Sequence, residues 1–434
     1  MRVFVGVDVA KRSFVAAILN EDKELMQKKR SFSTHRTGFD AFAELLHSFA
    51  GPEDEIHFGI EACGNLHVNL IFFLHGMFPK IVIYVLNPLT VSRYGTSKLH
   101  RNHTDHADAY HIGLLVANEW HSLHPWQPNP AADRLRRLVL QREHLVSDHT
   151  AETNRLHASL HLTFPEFTLV LSDPTTPLAF HLLKQNPTAA DFARRRPSAL
   201  AKQRPKGKGR HALGSQRAKK LVSWAKQSVA TAYAQSDIVL LQMTIARLEL
   251  LKQQILQIEN QIEFFLEEQS DCPLQTQLCT QTRLLTTVPG IGLVTAAAIS
   301  CRAPNISQFK SVSAFCAFIG TCPQRSQTGT SRDSAALTPY AHRSIRADLF
   351  LCAQTAIRCF PPLRFYFRRH ISNGHKYKQA VAACMNRLAR WIYGVALHHS
   401  PFNPQHTHLI CARQLPDDWE AFSNEIRPPK ERVA

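Results

Sequence analysis

The stretch Val3-Phe4-Val5-Gly6-Val7-Asp8-Val9 decides the fold class: an apolar run, rich in valine, that carries a single carboxylate. It reads as a short apolar strand. Phe14–Leu19 reads as a second strand and His35–Ala50 has helical spacing. Glu55–Ile60 reads as a strand, Asn65–His75 as a helix, and Ile81–Leu86 as a buried strand ended by Asn87-Pro88. His103–Asn118 is helical again. This alternation predicts an α/β domain with a central sheet over residues 1–125.

Asp8 inside an apolar strand is costly unless it meets a cation. Glu61 follows the next strand directly, in Phe58-Gly59-Ile60-Glu61-Ala62, and strand ends are where α/β sheets display functional groups. Asp105 and Asp108, in Thr104-Asp105-His106-Ala107-Asp108-Ala109, stand three apart, so a helix puts them on one face. Singly, each has an ordinary reading, such as a helix N-terminal charge for Asp105. Together, four acids repel one another without a counter-ion, and hard oxygen ligands suit Mg²⁺ or Mn²⁺. Two such ions about 4 Å apart can activate a nucleophile and stabilise a leaving oxygen at a phosphodiester.

The character changes over residues 126–280. Leu135, Leu138, Leu145, Leu156 and Leu160 recur at helical spacing in a basic segment from Asp133 to His161. Leu241, Ile245, Leu248, Ile255, Ile262 and Leu266 make a coiled-coil-like stripe over 236–266. The pair predicts an antiparallel helical stalk with a basic insert at 163–235, in which Pro165–Leu183 is ordered. Residues 194–220 hold eleven Lys or Arg and no acid, including Arg194, Arg195, Arg196, Lys206, Lys208 and Arg210. Such a block repels itself and is stabilised by a polyanion; a solvated loop is the alternative reading.

Residues 281–400 read as helix-rich and almost without strand signals, and 401–434 as a loose tail. In Pro289-Gly290-Ile291-Gly292 the glycines let the backbone come close, and N–H groups at a helix start can bind phosphate. A plain interhelical turn fits the same four residues. Cys316 and Cys322 fall in a loop-like stretch.

Across 434 residues, 51 Lys plus Arg against 34 Asp plus Glu leave a net charge of +17. That excess favours a polyanionic partner, most often nucleic acid, over a basic enzyme with scattered surface lysines. Ten Cys occur with no CxxC, and the 24 His show no HExxH or zinc-finger spacing. There is no apolar signal segment and no membrane-length apolar run, so a cytoplasmic protein with free thiols is expected.

The order of these motifs resembles the RuvC-like DEDD nuclease domain of insertion-sequence one-hundred-ten family transposases, which include pilin-gene invertases and bridge-RNA-guided recombinases. VGVDVAK, GIEACGN, NP before a basic stretch, and TDHADA lie in the family's order, followed by its long basic helix. The resemblance resumes at Leu284–Ala296 and runs through Phe318-Ile319-Gly320 to Asn386-Arg387-Leu388-Ala389-Arg390. It implies a RuvC-like (RNase H-like) α/β domain, a helical coiled-coil stalk, and a mostly α serine-recombinase-type C-terminal domain with a helix-hairpin-helix. In the family that last domain carries a serine nucleophile as P-x-x-x-x-S-G. Here Pro323 and Gly329 keep the spacing, but Thr328 stands in the serine's place, with Ser326 and Ser331 as neighbouring hydroxyls. The family's Lys and Gly-Asn further on are missing, while Ile345-Arg346 fits its pattern.

The resemblance implies a DNA transposase or recombinase. Asp8, Glu61, Asp105 and Asp108 would bind Mg²⁺ (or Mn²⁺), and Thr328 or Ser326 would attack DNA. It further implies a homo-oligomer, dimer to tetramer, and a structured bridge RNA beside double-stranded DNA. Arg136, Arg137, Arg142, Arg155, Arg194, Arg195, Arg196, Lys206, Lys208, Arg210, Gly290, Gly292 and Arg346 are the expected nucleic-acid contacts. Alternatives left open are a metal-dependent nuclease or junction resolvase, a site-specific DNA invertase, and an inactive nucleic-acid-binding element copy.

Overall fold

The computed structural model describes residues 1–27, 30–51, 53–97, 104–205, 207, 211–230, 235–328, 332–337 and 343–404. Lys206, Lys208, Arg210, Ser331 and most of the tail lie outside them. The chain divides into two compact units, Met1–Asn129 and Pro130–Ala434.

The first unit holds a five-stranded mixed sheet. Its strands are β1 (Arg2–Val9), β2 (Ser13–Leu19), β3 (Arg30–Ser33), β4 (Glu55–Glu61) and β5 (Ile81–Leu86), in the order β3-β2-β1-β4-β5. β1–β2 and β2–β3 pair antiparallel, while β1–β4 and β4–β5 pair parallel. The helices are α1 (Arg36–Phe49), α2 (Val68–Met77), α3 (Pro88–Ser97) and α4 (Asp105–Glu119).

The two-residue period of a strand sorts β1 between two cores. Val3, Val5, Val7 and Val9 join Phe42 and Leu46 of α1 and Leu70 and Leu74 of α2. Phe4 faces the other way, with Ile112, Leu115 and Val116 of α4. β4 divides likewise, Ile56, Phe58 and Ile60 packing with the α1–α2 side. Gly6 and Asp8, and Gly59 and Glu61, therefore lie on the α4 side. The edge strand β3 and helix α3 were not anticipated from sequence.

In the second unit α5 (Pro130–Thr163) is followed by the short helices α6 (Phe167–Val170), α7 (Pro177–Gln185), α8 (Ala189–Ala193), α9 (Pro197–Ala201) and α10 (Ser215–Lys226), then by α11 (Gln235–Glu267). Arg134–Glu268, Arg142–Glu259 and Arg247–Glu152 ion pairs show α5 and α11 running antiparallel. Leu135 and Val139 meet Ile262, Phe265 and Leu266 at one end. Leu156 and Leu160 meet Leu241, Ile245 and Leu248 at the other.

The remainder is α12 (Pro273–Leu285), α13 (Leu293–Ser300), α14 (Val312–Ile319), strands β6 (Pro323–Thr328) and β7 (Arg332–Leu337), and α15 (Arg343–Cys359), α16 (Pro361–Ser372) and α17 (Tyr377–His398). α17 supplies Val381, Leu388, Ile392 and Val395 to the core of these helices. Two expectations are corrected. The hydroxyl-rich segment is not a loop in a strandless region: Pro323–Thr328 pairs antiparallel with Arg332–Leu337. Cys316 is not in a loop either but buried within α14, which Gly320 closes in the left-handed conformation at φ 85°. Every cysteine among the described residues is a free thiol. Among them, too, no helix is long and apolar enough to cross a membrane.

Candidate active site

In the first unit the four acids come from three elements. Asp8 is next to last in β1, Glu61 ends β4, and Asp105 and Asp108 occupy the first turn of α4. The parallel register pairs Gly6 with Gly59 and Val7 with Ile60, so Asp8 and Glu61 follow one position further along neighbouring strands. Thr104 caps α4, its hydroxyl accepting a hydrogen bond from the Ala107 N–H at 3.3 Å. Two acids in that first turn also suit the positive end of the helix dipole.

The glycines set where α4 sits. A Cβ on Gly6 would overlap the Gly113 nitrogen and the Ala109 carbonyl oxygen, and one on Gly59 would collide with Val116. Only bare backbone lets the helix lie this close to β1 and β4. Each strand glycine stands two residues before an acid, so the close approach directs the start of α4 toward both carboxylates. In the sequence, the spacing in Gly6-Val7-Asp8 and Gly59-Ile60-Glu61 is the signal for this approach.

The electrostatics agree. The Asp8 carboxyl is pushed up to about 6, first by burial and then by the charges of Asp105, Glu61 and Asp108. All four acids thus act at one place, with no cation among the causes. Cys63, missed at the sequence level, adjoins them: its thiol donates to Glu61 Oε1 at 3.6 Å, and burial together with Glu61 raises its pKa. Among the described residues no three ligand side chains close into a metal-holding group. An all-carboxylate donor set nonetheless matches a hard divalent cation in chemistry.

In the second unit, Ser326 pairs with Ser334 and Thr328 with Arg332 in the β6–β7 ladder. The lead-in to β6 is anchored: buried Thr321 accepts hydrogen bonds from Asn386 Nδ2 at its carbonyl (3.2 Å) and hydroxyl (3.4 Å). Arg390 Nε donates to Asn386 Oδ1 at 2.9 Å and so fixes which way that amide faces.

The expected nucleic-acid residues divide. Arg136 pairs with Asp133 and also donates to the Cys301 carbonyl; Arg142 pairs with Glu259, and Arg155 with Glu152. Arg137, Arg194, Arg195 and Arg196 are exposed, with Arg195 Nε donating to Asn186 Oδ1. Gly290, at φ 81°, approaches the protein itself, since a Cβ there would lie 2.5 Å from the Cys352 carbonyl of α15. Gly292 caps α13 with open space beside it, and Arg346 lies in the first turn of α15.

Two family models match this chain: one described as Transposase, of the IS110 DEDD type, over residues 5–165, and one described as Transposase IS116/IS110/IS902 family over residues 282–368. A pilin gene-inverting protein of Moraxella bovis is 21% identical over 405 residues, covering 93% of this chain and 98% of that protein. A pilin gene-inverting protein of Moraxella lacunata is 26% identical over 156 residues, 35% of this chain and 46% of its own length. Fold, acids and matches define a DNA transposase or recombinase, an enzyme of strand cleavage and joining. The chain belongs to the IS110 transposase family.

Proposed function

We propose that this transposase cleaves and rejoins the DNA strands of an insertion element with a metal-binding acid site and a hydroxyl nucleophile. Asp8, Glu61, Asp105 and Asp108 of a RuvC-like domain hold Mg²⁺ or Mn²⁺ in this reading, and Thr328 or Ser326 supplies the attacking hydroxyl, with Ser331 as its neighbour. The observation that carries it is the raised Asp8 carboxyl, which three further acids act upon. A bound divalent ion would neutralise developing charge on the phosphoryl group. The four carboxylates would hold that ion; the hairpin hydroxyl attacks the scissile phosphorus, its new P–O bond forming as the bond to a deoxyribose oxygen breaks, and that oxygen leaves with the proton the attacking hydroxyl gives up. Bond energy is thereby kept for rejoining.

The same reading divides the chain into 1–125, a 126–280 stalk with its 163–235 insert, a 281–400 transposase domain and a 401–434 tail. A second copy of the chain fits α11, whose Leu240, Met243, Leu250 and Phe264 are all more than half exposed on a helix already packed through its other face. Bridge-RNA guidance rests on the family resemblance and the basic insert. DNA inversion is the second reading, favoured by the Moraxella bovis relative, which matches over nearly its whole length.

Trapping the covalent protein–DNA adduct and mapping the linked residue tests the hydroxyl assignment. Linkage to Thr328 or Ser326 is expected. Continued strand transfer by a Thr328→Ala/Ser326→Ala protein, with no adduct, would leave a nuclease acting through the acids alone.

A further inference from the structure

The closest-spaced cysteines of the sequence, Cys316 and Cys322, meet where α14 gives way to β6. α14 closes in a Schellman turn. The Gly320 N–H donates to the Ala317 carbonyl at 3.1 Å, and the Thr321 N–H to the Cys316 carbonyl at 2.9 Å. This turn folds the chain back over Cys316 and brings Cys322 against the helix. The Cys322 thiol donates to the Ser313 carbonyl at 3.9 Å, one helical turn before Cys316.

The two thiols also act on each other directly. Burial raises the Cys316 thiol; the Thr321 hydrogen bond opposes this, the Cys322 thiol adds to it, and the Arg390 charge opposes it again. Of the raised thiols among the described residues, Cys316 is the one with a second cysteine among the causes. Their surroundings differ. Cys316 is 0% exposed in the helical core, while Cys322 is half-buried at its edge. Cys316 cannot shift without disturbing that core. Cys322 leads straight into Pro323, the first residue of β6, and the hydroxyl residues Ser326 and Thr328 follow on that strand. Thr321, beside Cys322, is the residue that Asn386 holds.

We propose that Cys316 and Cys322 are a reversible oxidation site, at which hydrogen peroxide closes a disulfide that displaces the start of the β6–β7 hairpin and suppresses its hydroxyl chemistry. The accessible Cys322 sulfur takes one oxygen of the peroxide as the O–O bond breaks, giving a sulfenic acid and water. The Cys316 sulfur then bonds to the Cys322 sulfur, and the sulfenic oxygen leaves with the Cys316 proton as a second water. Two thiols lose two electrons and one peroxide becomes two waters. A disulfide is far shorter than a thiol contact, so closing it draws Cys322, and with it Pro323, toward the fixed Cys316. A dithiol reverses the step by exchange. The effect on the hairpin's chemistry rests on the hydroxyl assignment proposed above; the oxidation itself does not.

The test treats the full chain with hydrogen peroxide until the exposed Cys272 is oxidised, then alkylates the remaining thiols and digests with trypsin. One tryptic peptide, Ser311–Arg325, carries both cysteines and no other. It is expected to escape alkylation at both and to be lighter by two hydrogens, and dithiothreitol should restore both thiols. The yield of trapped protein–DNA adduct should fall at least about tenfold on oxidation, as a small displacement of a reacting group can cost that much, and return with dithiothreitol. Cys322→Ser, a change at the half-buried member of the pair, should make the adduct yield insensitive to peroxide. Alkylation of both thiols after peroxide overturns the proposal. So does a closed disulfide with an unchanged adduct yield, or an equal loss of adduct in the Cys322→Ser protein. The cross-link is read by mass alone, whereas failure of the hydroxyl assignment shows as no adduct from the reduced protein, so the two failures are distinct.

Discussion

Gly6 of β1 and Gly113 of α4 meet backbone to backbone, so that a single added Cβ at Gly6 would overlap the Gly113 nitrogen. This crossing holds the start of α4, with Asp105 and Asp108, over the strand that delivers Asp8. Position and charge of the site therefore depend on two residues with no chemistry of their own.

Gly6→Ala is expected to destabilise the protein by about 3 kcal/mol or more, since backbone cannot yield as a flexible side chain can. Gly113→Ala, whose Cβ would collide with the end of the Leu19 side chain, should cost less. Urea unfolding of both variants checks the order. Equal, small losses would mean that α4 is free to lift.

Asp8 is charged at pH 8, well above its value of about 6, so the full repulsion from its neighbours is present there. Its folded pKa is raised, so the carboxyl favours folding while protonated, and that advantage is lost as pH rises through about 6. In EDTA at pH 8, Asp8→Asn is expected to be more stable than the natural protein by about 1 kcal/mol, after allowing for solvent screening. Mg²⁺ should raise the melting temperature of the natural protein and not of the variant. A thermal scan with and without Mg²⁺ decides this.

His57 gives a pH dependence of opposite sense. It is 2% exposed and its pKa is lowered, chiefly by burial. Its Nδ1 lies 3.0 Å from the Tyr84 hydroxyl. Below pH 6.5 the unfolded chain takes up a proton that the folded His57 refuses, so stability falls as pH falls from 6.5 toward the folded value. His57→Gln should flatten that part of the profile. Parallel urea midpoints for both proteins between pH 7.5 and 5 would count against the assignment.

Arg302 has a side chain only 8% exposed and donates to both oxygens of Glu143, at 2.9 and 3.0 Å. Glu143→Ala leaves that guanidinium buried without its carboxylate and is expected to cost about 3–5 kcal/mol. Glu143→Ala combined with Arg302→Met should recover much of the loss. If the double variant is as unstable as the single one, packing rather than charge explains the pair.

The strands that carry the acids were legible because burial on both faces leaves an unbroken apolar run, against which Asp8 stands out. β3 was not, since Arg30-Ser31-Phe32-Ser33 is an edge strand with one buried residue, Phe32. The β6–β7 hairpin was hidden for a related reason: Pro323–Thr328 and Arg332–Leu337 are largely polar, with no alternation to read. The Gly6–Gly113 crossing joins residues far apart in the chain, and local pattern holds no trace of it. The same is true of the acidic partners of Arg136, Arg142 and Arg155, of which Glu259 comes from a distant helix.

The central claim is that four acids from β1, β4 and α4 form one catalytic centre. DNA strand cleavage in Mg²⁺ by the Asp8→Asn, Glu61→Gln, Asp105→Asn and Asp108→Asn variants measures it most directly. Each is predicted to cleave at least about a hundredfold more slowly than the natural protein, while binding duplex DNA as tightly. Wild-type cleavage by any of the four would contradict it.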